Sequence, residues 1–362
     1  MNRTAPTIDD QAVLGRLSRL DRYLPVWIGL AMAAGLLLGT LFSNLNDWLD
    51  TVKIGSVSLP IAIGLLAMMY PVLAKVRYSQ IGEIAADRKL LVNSLILNWL
   101  IGPLLMFTLA WLMLPDLPEY RTGLIIIGLA RCIAMVLIWN DIACGDREAA
   151  AVLVAINSVF QIVAYSLLGY FYLELLPGWL GLDTASLDVS IWEIGKIVLI
   201  FLGIPLVAGY LTRRWGERSE GVQWYETEFI PRIAPWALYG LLFTVVILFA
   251  LQGETITSQP LDVVRIALPL LAYFFLMWVV AFALGLKLRM SYPKNTAMSF
   301  TAASNNFELA IAVAIGVFGV TSGEALAGVV GPLIEVPVLV GLVYVALWAR
   351  RRFYPTHDVE QP

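Results

Sequence analysis

The stretch from Leu124 to Trp139 reads Leu-Ile-Ile-Ile-Gly-Leu-Ala-Arg-Cys-Ile-Ala-Met-Val-Leu-Ile-Trp, with one cation, Arg131, and one thiol, Cys132, set among apolar residues. Such a run asks for lipid or a buried core, and a charge at membrane depth marks a functional site by default. A second stretch, Thr301-Ala-Ala-Ser-Asn-Asn-Phe-Glu-Leu-Ala310, repeats the anomaly with Ser304, Asn305, Asn306 and Glu308. Both place small and polar residues where a straight lipid-facing helix needs bulk. Both are therefore predicted to be discontinuous helices, because unwound backbone survives in a bilayer only inside protein or against an aqueous cavity. Cys132 precedes Glu148 by the interval at which Glu308 precedes Glu324, so Cys132 and Glu308 are expected at matching places in two half-chains.

Around these stretches the composition is that of a polytopic membrane protein: of 362 residues, 59% are hydrophobic and 14% charged. The net charge of -3 is small, and no basic patch speaks for nucleic acid. The expected partners are the lipid bilayer and a small solute. Two cysteines, Cys132 and Cys144, are too few for a disulfide framework, and no paired C-x-x-C offers a zinc site. Residues 24–42 are too long an apolar core for a signal peptide and lack a small-residue cleavage site, so they are read as a retained first helix.

Stretches apolar over roughly 20 residues, the length that crosses a bilayer, lie near 24–42, 57–76, 90–114, 122–143, 149–176, 191–212, 232–250, 263–286, 295–318 and 324–349. The fold class expected is thus an all-α membrane protein with ten transmembrane helices, the fourth and ninth discontinuous and crossing at the midplane. Most Lys and Arg lie in the amino tail, the even-numbered loops and the carboxyl tail, while the other loops and their helix ends hold only Lys53, Arg121 and Arg265. The positive-inside rule then puts both termini in the cytoplasm. Lys196 can snorkel to an outer interface, and Arg131 is too deep to do so. The loop 177–190 has no cation and divides the chain into five-helix segments 24–176 and 191–349, which an odd number of crossings orients oppositely. That is the inverted-repeat plan of secondary transporters, whose site lies at the repeat interface. Residues 1–23 place Ala12, Leu14, Leu17, Leu20 and Leu24 opposite Arg16, Arg19 and Arg22, as an interfacial amphipathic helix does, and 350–362 form a cytoplasmic tail.

Each polar residue in these helices has two readings. Arg131 either makes a structural ion pair or binds substrate. Buried cysteine often behaves as a small hydrophobe, but a neighbouring cation favours the thiolate, and thiolates select soft cations. Cys144 lies about 18 Å further along a helix rising 1.5 Å per residue, so one ion cannot be held by both thiols, and packing explains Cys144 at the inner exit. Glu308 is expected to carry a coupling proton or sodium ion, or else to partner Arg131. Ser304, Asn305 and Asn306 supply neutral oxygens for a hard cation or for hydroxyls, or else serve as helix-helix glue. Helices five and ten add Asn157, Ser158 and Gln161, and Gly331, Pro332, Glu335 and Pro337; Glu335 either shares the coupling role or pairs with an interfacial cation. Asn98 is a weaker candidate, and Asn140 and Asp141 are expected to approach the cytoplasmic interface.

At these residues the sequence resembles the arsenite efflux permeases of the arsenical-resistance family, within the bile acid, arsenite and riboflavin transporter superfamily. The resemblance rests on Ala130-Arg-Cys-Ile-Ala-Met-Val-Leu-Ile-Trp-Asn-Asp141, on Phe300 to Ala314 with Asn305, Asn306 and Glu308, and on Leu176-Pro-Gly-Trp-Leu-Gly181. It implies a ten-helix, two-repeat fold with broken helices four and nine crossing between a panel and a core domain. It further implies plasma-membrane export of trivalent arsenite, often also antimonite, in exchange for protons, with the family's essential cysteine on Cys132 and its essential glutamate on Glu308. No cofactor is implied. Cys144 matches no required position, which puts a multi-thiol arsenic site in doubt. Arsenite at neutral pH is an uncharged trihydroxide with a soft centre, so Cys132 is expected to hold the As(III) while Asn305, Asn306 or Arg131 hold the hydroxyls.

Two other readings compete. A sodium-coupled organic-anion symporter on the same scaffold would use Arg131 for a carboxylate and Glu308 with Asn305 for sodium. A thiol enzyme built on Cys132 lacks a base, since the sole histidine, His357, is in the carboxyl tail. The chain is therefore read as a transporter and not an enzyme.

Overall fold

Proline and the need to satisfy every backbone group in lipid shape the long helices of this chain. A computed structural model describes residues 23–42, 53–54, 57–76, 87–133, 135–182, 190–258 and 260–354. The proposed amphipathic segment, Ala134, most of the central loop and the tail with His357 lie outside the described residues. Helix α1 (Leu24–Leu41) is followed by a short antiparallel hairpin of β1 (Lys53–Ile54) and β2 (Val57–Ser58), with Lys53 opposite Ser58. Then come α2 (Leu59–Ala74), α3 (Arg88–Met113), α4 (Pro118–Leu129), α5 (Val136–Ile142) and α6 (Arg147–Trp179). The second half carries α7 (Ile191–Ser219), α8 (Val222–Leu251), α9 (Leu261–Lys287), α10 (Tyr292–Ala303), α11 (Phe307–Phe318) and α12 (Gly323–Phe353).

Among the described residues, six helices are long and apolar enough to cross a membrane: α3, α6, α7, α8, α9 and α12. The stretches expected as helices four and nine are each divided, into α4 with α5 and α10 with α11. Helix α12 runs past the expected end at residue 349, and Arg350, Arg351 and Arg352 fill its last turn. Cations are favoured there by the negative end of the helix dipole.

Four helices widen by one residue at the same sequence signal. The π-turns Leu97–Ile101, Phe171–Leu175, Leu199–Gly203 and Tyr225–Phe229 each stand just before an X-Pro pair. In each, the residue ahead of the proline donates its N–H five residues back: Gly102 to Leu97, Leu176 to Phe171, Ile204 to Leu199 and Ile230 to Tyr225. Proline has no N–H and its ring crowds the preceding turn, so the ladder shifts register to keep the carbonyls bonded.

The helices pack as two groups. Helices α1, α2 and α7 line up with α8, while α3, α4, α6, α9, α10, α11 and α12 surround the two broken helices. Small residues set the closest approaches, as expected where apolar packing against lipid gives no net drive to associate. A Cβ on Gly240 of α8 would stand 2.6 Å from the carbonyl of Gly64 in α2, and one on Gly123 of α4 would stand 2.7 Å from Ala327 Cβ in α12. Large apolar side chains such as Leu30, Leu37, Leu112 and Val163 face outward, and Trp179 and Trp192 flank one end of α6 and α7 while Trp215 flags the far end of α7. This is the surface a bilayer solvates, with tryptophan near the interfaces.

Candidate functional site

Helices α4 and α10 are both twelve residues long, both carry proline in their first turn, and both end in an extended residue: Ala130 at φ -81°, ψ 110° and Ser304 at φ -86°, ψ 150°. A helix that ends inside a protein leaves its last carbonyls orphaned unless other groups reach them. Here each broken helix serves the other. Arg131 and Asn305, each the residue after its helix's cap, pair as an antiparallel bridge. Asn306 N donates to Ala130 O at 3.0 Å, and Asn305 Nδ2 donates to Ile127 O at 2.5 Å. Arg131 donates to Gly128 O and, at 2.9 Å, to the hydroxyl of Tyr273 on α9. Asn306 Oδ1 accepts from Leu309 N at 3.1 Å and so caps the start of α11, while Glu335 Oε1 on α12 accepts from Asn305 N at 3.0 Å.

This geometry decides one alternative that the sequence left open and corrects one expectation. Arg131 makes no ion pair with Glu308 or any other carboxylate among the described residues; it sits on the carbonyl end of α4, where the helix dipole favours a cation. The matched residues at the crossing are Arg131 and Asn305, rather than Cys132 and Glu308, because the half-helices α4 and α10 are equal in length. Glu308 falls in the first turn of α11, half-buried, near enough to Glu335 for the two carboxylates to interact. Glu335 meets a backbone N–H and no cation among the described residues, which leaves the coupling role as the other of its two readings.

Cys132 lies in the break directly after Arg131 and is 2% exposed. Cys144 is half-buried beyond the end of α5, in a turn where it takes a positive φ of 57°. Neither forms a disulfide. The break invalidates the straight-helix distance between the two thiols, but all of α5 still lies between them. Asp141 is half-buried and reaches Arg147 at 3.5 Å, whereas Asn140 is wholly buried.

Buried polar atoms without partners collect around the crossing: Arg131 Nε, Ser304 Oγ, Asn305 Oδ1 and Asn306 Nδ2. Buried polar groups are nearly always hydrogen-bonded, so such a cluster is where water or a ligand belongs. Donors and acceptors are mixed, with one soft thiol and no full complement of hard anionic ligands; among the described residues no three His, Cys, Asp or Glu side chains group for a metal. The set suits a neutral, hydroxylated solute with a soft centre better than a free divalent ion. Asn98 bonds Ser94 O at 2.8 Å, Ser158 bonds Val154 O within its own helix at 2.8 Å, and Asn157 Oδ1 accepts from Trp99 Nε1 at 3.2 Å. The sequence reading missed Tyr273 and Tyr165, whose hydroxyls hold Arg131 and Ile126 O. A tyrosine deep in an apolar helix was the available signal, because its hydroxyl has to find a partner.

The profile of the sodium bile acid symporter family matches residues 62–259, more than half of the chain and inclusive of Arg131 and Cys132. The chain belongs to this symporter family. Within it, similarity runs over nearly the whole length to the arsenical-resistance protein Acr3 of Corynebacterium glutamicum, 59% identical over 340 residues, 94% of this chain and 92% of the relative. Acr3 of Alkaliphilus metalliredigens is 32% identical over 92% of this chain and 94% of its own, and an uncharacterised transporter of Synechocystis is 37% identical over 93% and 92%. The chain therefore sits in the Acr3 branch of the symporter family, in agreement with the resemblance read from its two broken-helix motifs. As a family member it is a multi-pass, all-helical membrane transporter, the class expected from its sequence.

Proposed function

We propose that the chain exports trivalent arsenite across the plasma membrane and so confers arsenical resistance. The observation that carries this is the buried Cys132 in the break between two mutually capped half-helices, in a chain 59% identical to an arsenical-resistance protein. The soft thiol holds the arsenic centre, and the unpartnered atoms of Arg131, Asn305 and Asn306 take the hydroxyls. Counting each pair of half-helices as one crossing gives ten crossings in two inverted five-helix repeats, with the site at the midplane and both termini in the cytoplasm. Arg131 already serves Gly128 O and Tyr273, which leaves it poorly placed to grip an organic carboxylate.

Protons are the proposed counter-ion. Glu335 holds the break through Asn305 N, and the same break is tied to Cys132's segment through the bond from Asn306 N to Ala130 O. Protonating Glu335 weakens a charge-assisted bond to this backbone and so links carboxylate charge to the thiol's position, with Glu308 beside it sharing the coupling proton. Antimonite shares arsenite's neutral trihydroxide form and soft centre, and is proposed as a second cargo.

The test is arsenite uptake into everted vesicles under an imposed pH gradient. Cys132→Ser is expected to abolish uptake and Cys144→Ala to preserve it. Normal transport by Cys132→Ser refutes the site, and uptake that needs sodium and ignores the pH gradient refutes proton exchange.

A further inference from the structure

Gln161 of α6 is fully buried, and neither its Oε1 nor its Nε2 has a hydrogen-bond partner. Among the described residues, the only other buried side chain that leaves a whole primary amide unused is Asn140, which lies on α5 beyond the break. A buried amide with no partner is strongly disfavoured unless something else occupies the space beside it.

Its place is fixed from both sides along one face of α6. One turn toward the carboxyl end, Tyr165 Oη donates to Ile126 O at 3.0 Å, one turn ahead of the break that opens at Ala130. One turn toward the amino end, Asn157 Oδ1 accepts from Trp99 Nε1 at 3.2 Å. Trp99 lies within a turn of Gly102 on α3, whose backbone packs on the Arg131 guanidinium: a Cβ there would stand 2.6 Å from Nη1. Residues four apart share a helix face. Gln161 is thus bracketed between a contact just ahead of the break and a contact level with Arg131, about 6 Å along α6 from each neighbour. Asn157 keeps Nδ2 unpartnered on the same face.

We infer that Gln161 is a specificity-determining residue of the transport site: its amide, with Asn157 Nδ2, takes the two hydroxyls left on the arsenic once the Cys132 thiol has bonded it and the third hydroxyl has left with the thiol proton as water. A neutral amide offers both a donor and an acceptor, which is what hydroxyl groups need and what a carboxylate or ammonium would not supply without a charge penalty. The inference rests on arsenite as cargo and on Cys132 as the residue that holds it, and adds how the protein reads the rest of the molecule. It predicts preference for a ligand with three hydroxyls over one in which a methyl replaces a hydroxyl, because the methyl leaves the buried amide unpaired.

The experiment compares arsenite with monomethylarsonous acid in everted vesicles, using the wild-type chain, Gln161→Met, Gln161→Glu and Cys132→Ser. The wild type is expected to prefer arsenite at least several-fold. Gln161→Met, which keeps the volume and loses the hydrogen bonds, is expected to raise KM for arsenite about tenfold, the loss of roughly one to two neutral hydrogen bonds. Vmax should stay within about twofold, and the preference over the methylated compound should collapse. Equal transport of the two compounds by the wild type overturns the inference without any variant, as does an unchanged KM and preference in both Gln161 variants. Failure of the wild type to move arsenite, or normal transport by Cys132→Ser, instead removes the reading on which the inference stands.

Discussion

Replacing Glu335 separates the two jobs that its carboxylate performs. Its Oε1 accepts the N–H of Asn305 at 3.0 Å, in a residue 4% exposed. Glu335→Gln keeps an oxygen that can accept this bond and removes only the charge. A charge-assisted bond contributes about 1.5–3 kcal/mol and a neutral one about 0.5–1.5 kcal/mol, but the neutral side chain also escapes the penalty of a buried charge. The net change in stability for Gln is therefore about 1 kcal/mol or less. Glu335→Ala instead orphans the Asn305 N–H, at about 1–3 kcal/mol, and opens a void, at roughly 1 kcal/mol more for each methyl-sized gap. Thermal unfolding of the purified protein in detergent should rank wild type and Gln close together, with Ala well below. Transport should not follow that ranking: Gln is expected to lose the response of arsenite uptake to a pH gradient despite its near-normal stability. Two results refute this reasoning. A Gln variant as unstable as Ala shows that charge, and not an acceptor, holds the break; a Gln variant whose uptake still responds to the pH gradient shows that Glu335 is not the coupling group.

Gly102→Ala should push Arg131 off Tyr273, since the added Cβ would lie 2.6 Å from Arg131 Nη1 and 3.1 Å from Tyr273 Oη. Overpacking of this kind costs about 1–3 kcal/mol, so the protein is expected in the membrane at near-normal level with uptake severely reduced, and undiminished uptake would show that Arg131's position is unimportant. At the start of α3, Asp87 caps the helix through Leu90 N at 3.1 Å and pairs with Lys294 at 2.6 Å, and the hydrogen bond from Lys294 keeps the Asp87 carboxyl below its ordinary value. A carboxylate whose folded value is depressed stabilises the fold above its unfolded value of about 3.9 and loses that contribution as pH falls through the folded value. Asp87→Asn should therefore lower stability at pH 7 by about 1 kcal/mol or less, because the pair is partly exposed, and the deficit should shrink at acid pH; an equal deficit at both pH values would show that capping alone matters.

Much of the architecture was legible in single residues. Arg131 with Cys132, and Ser304 to Asn306 with Glu308, violate the apolar rule of a lipid-facing helix, and that violation located both breaks. The π-turns were not legible in this way: four stand before an X-Pro pair, but Pro71, Pro235, Pro269, Pro332 and Pro337 lie inside helices with no such turn before them. What each polar residue does at the crossing was not legible. Of the two readings open for Arg131, a carboxylate pair is absent among the described residues and the guanidinium caps a helix end instead; the side chain of Asn140 is wholly buried. Spacing along the chain suggested Cys132 opposite Glu308, but the break shifts the register of everything after it.

The sequence by itself determined that this is a polytopic helical membrane protein, where its helices break, and which few residues carry chemistry, because lipid penalises each misplaced polar group residue by residue. Only the tertiary structure decided the pairing of Arg131 with Asn305, the bond from Glu335 to the break, and the place of Gln161 between Tyr165 and Asn157. Those depend on which helix ends meet in space, and a carbonyl or N–H freed by a break accepts whichever neighbour reaches it first, near or far along the chain.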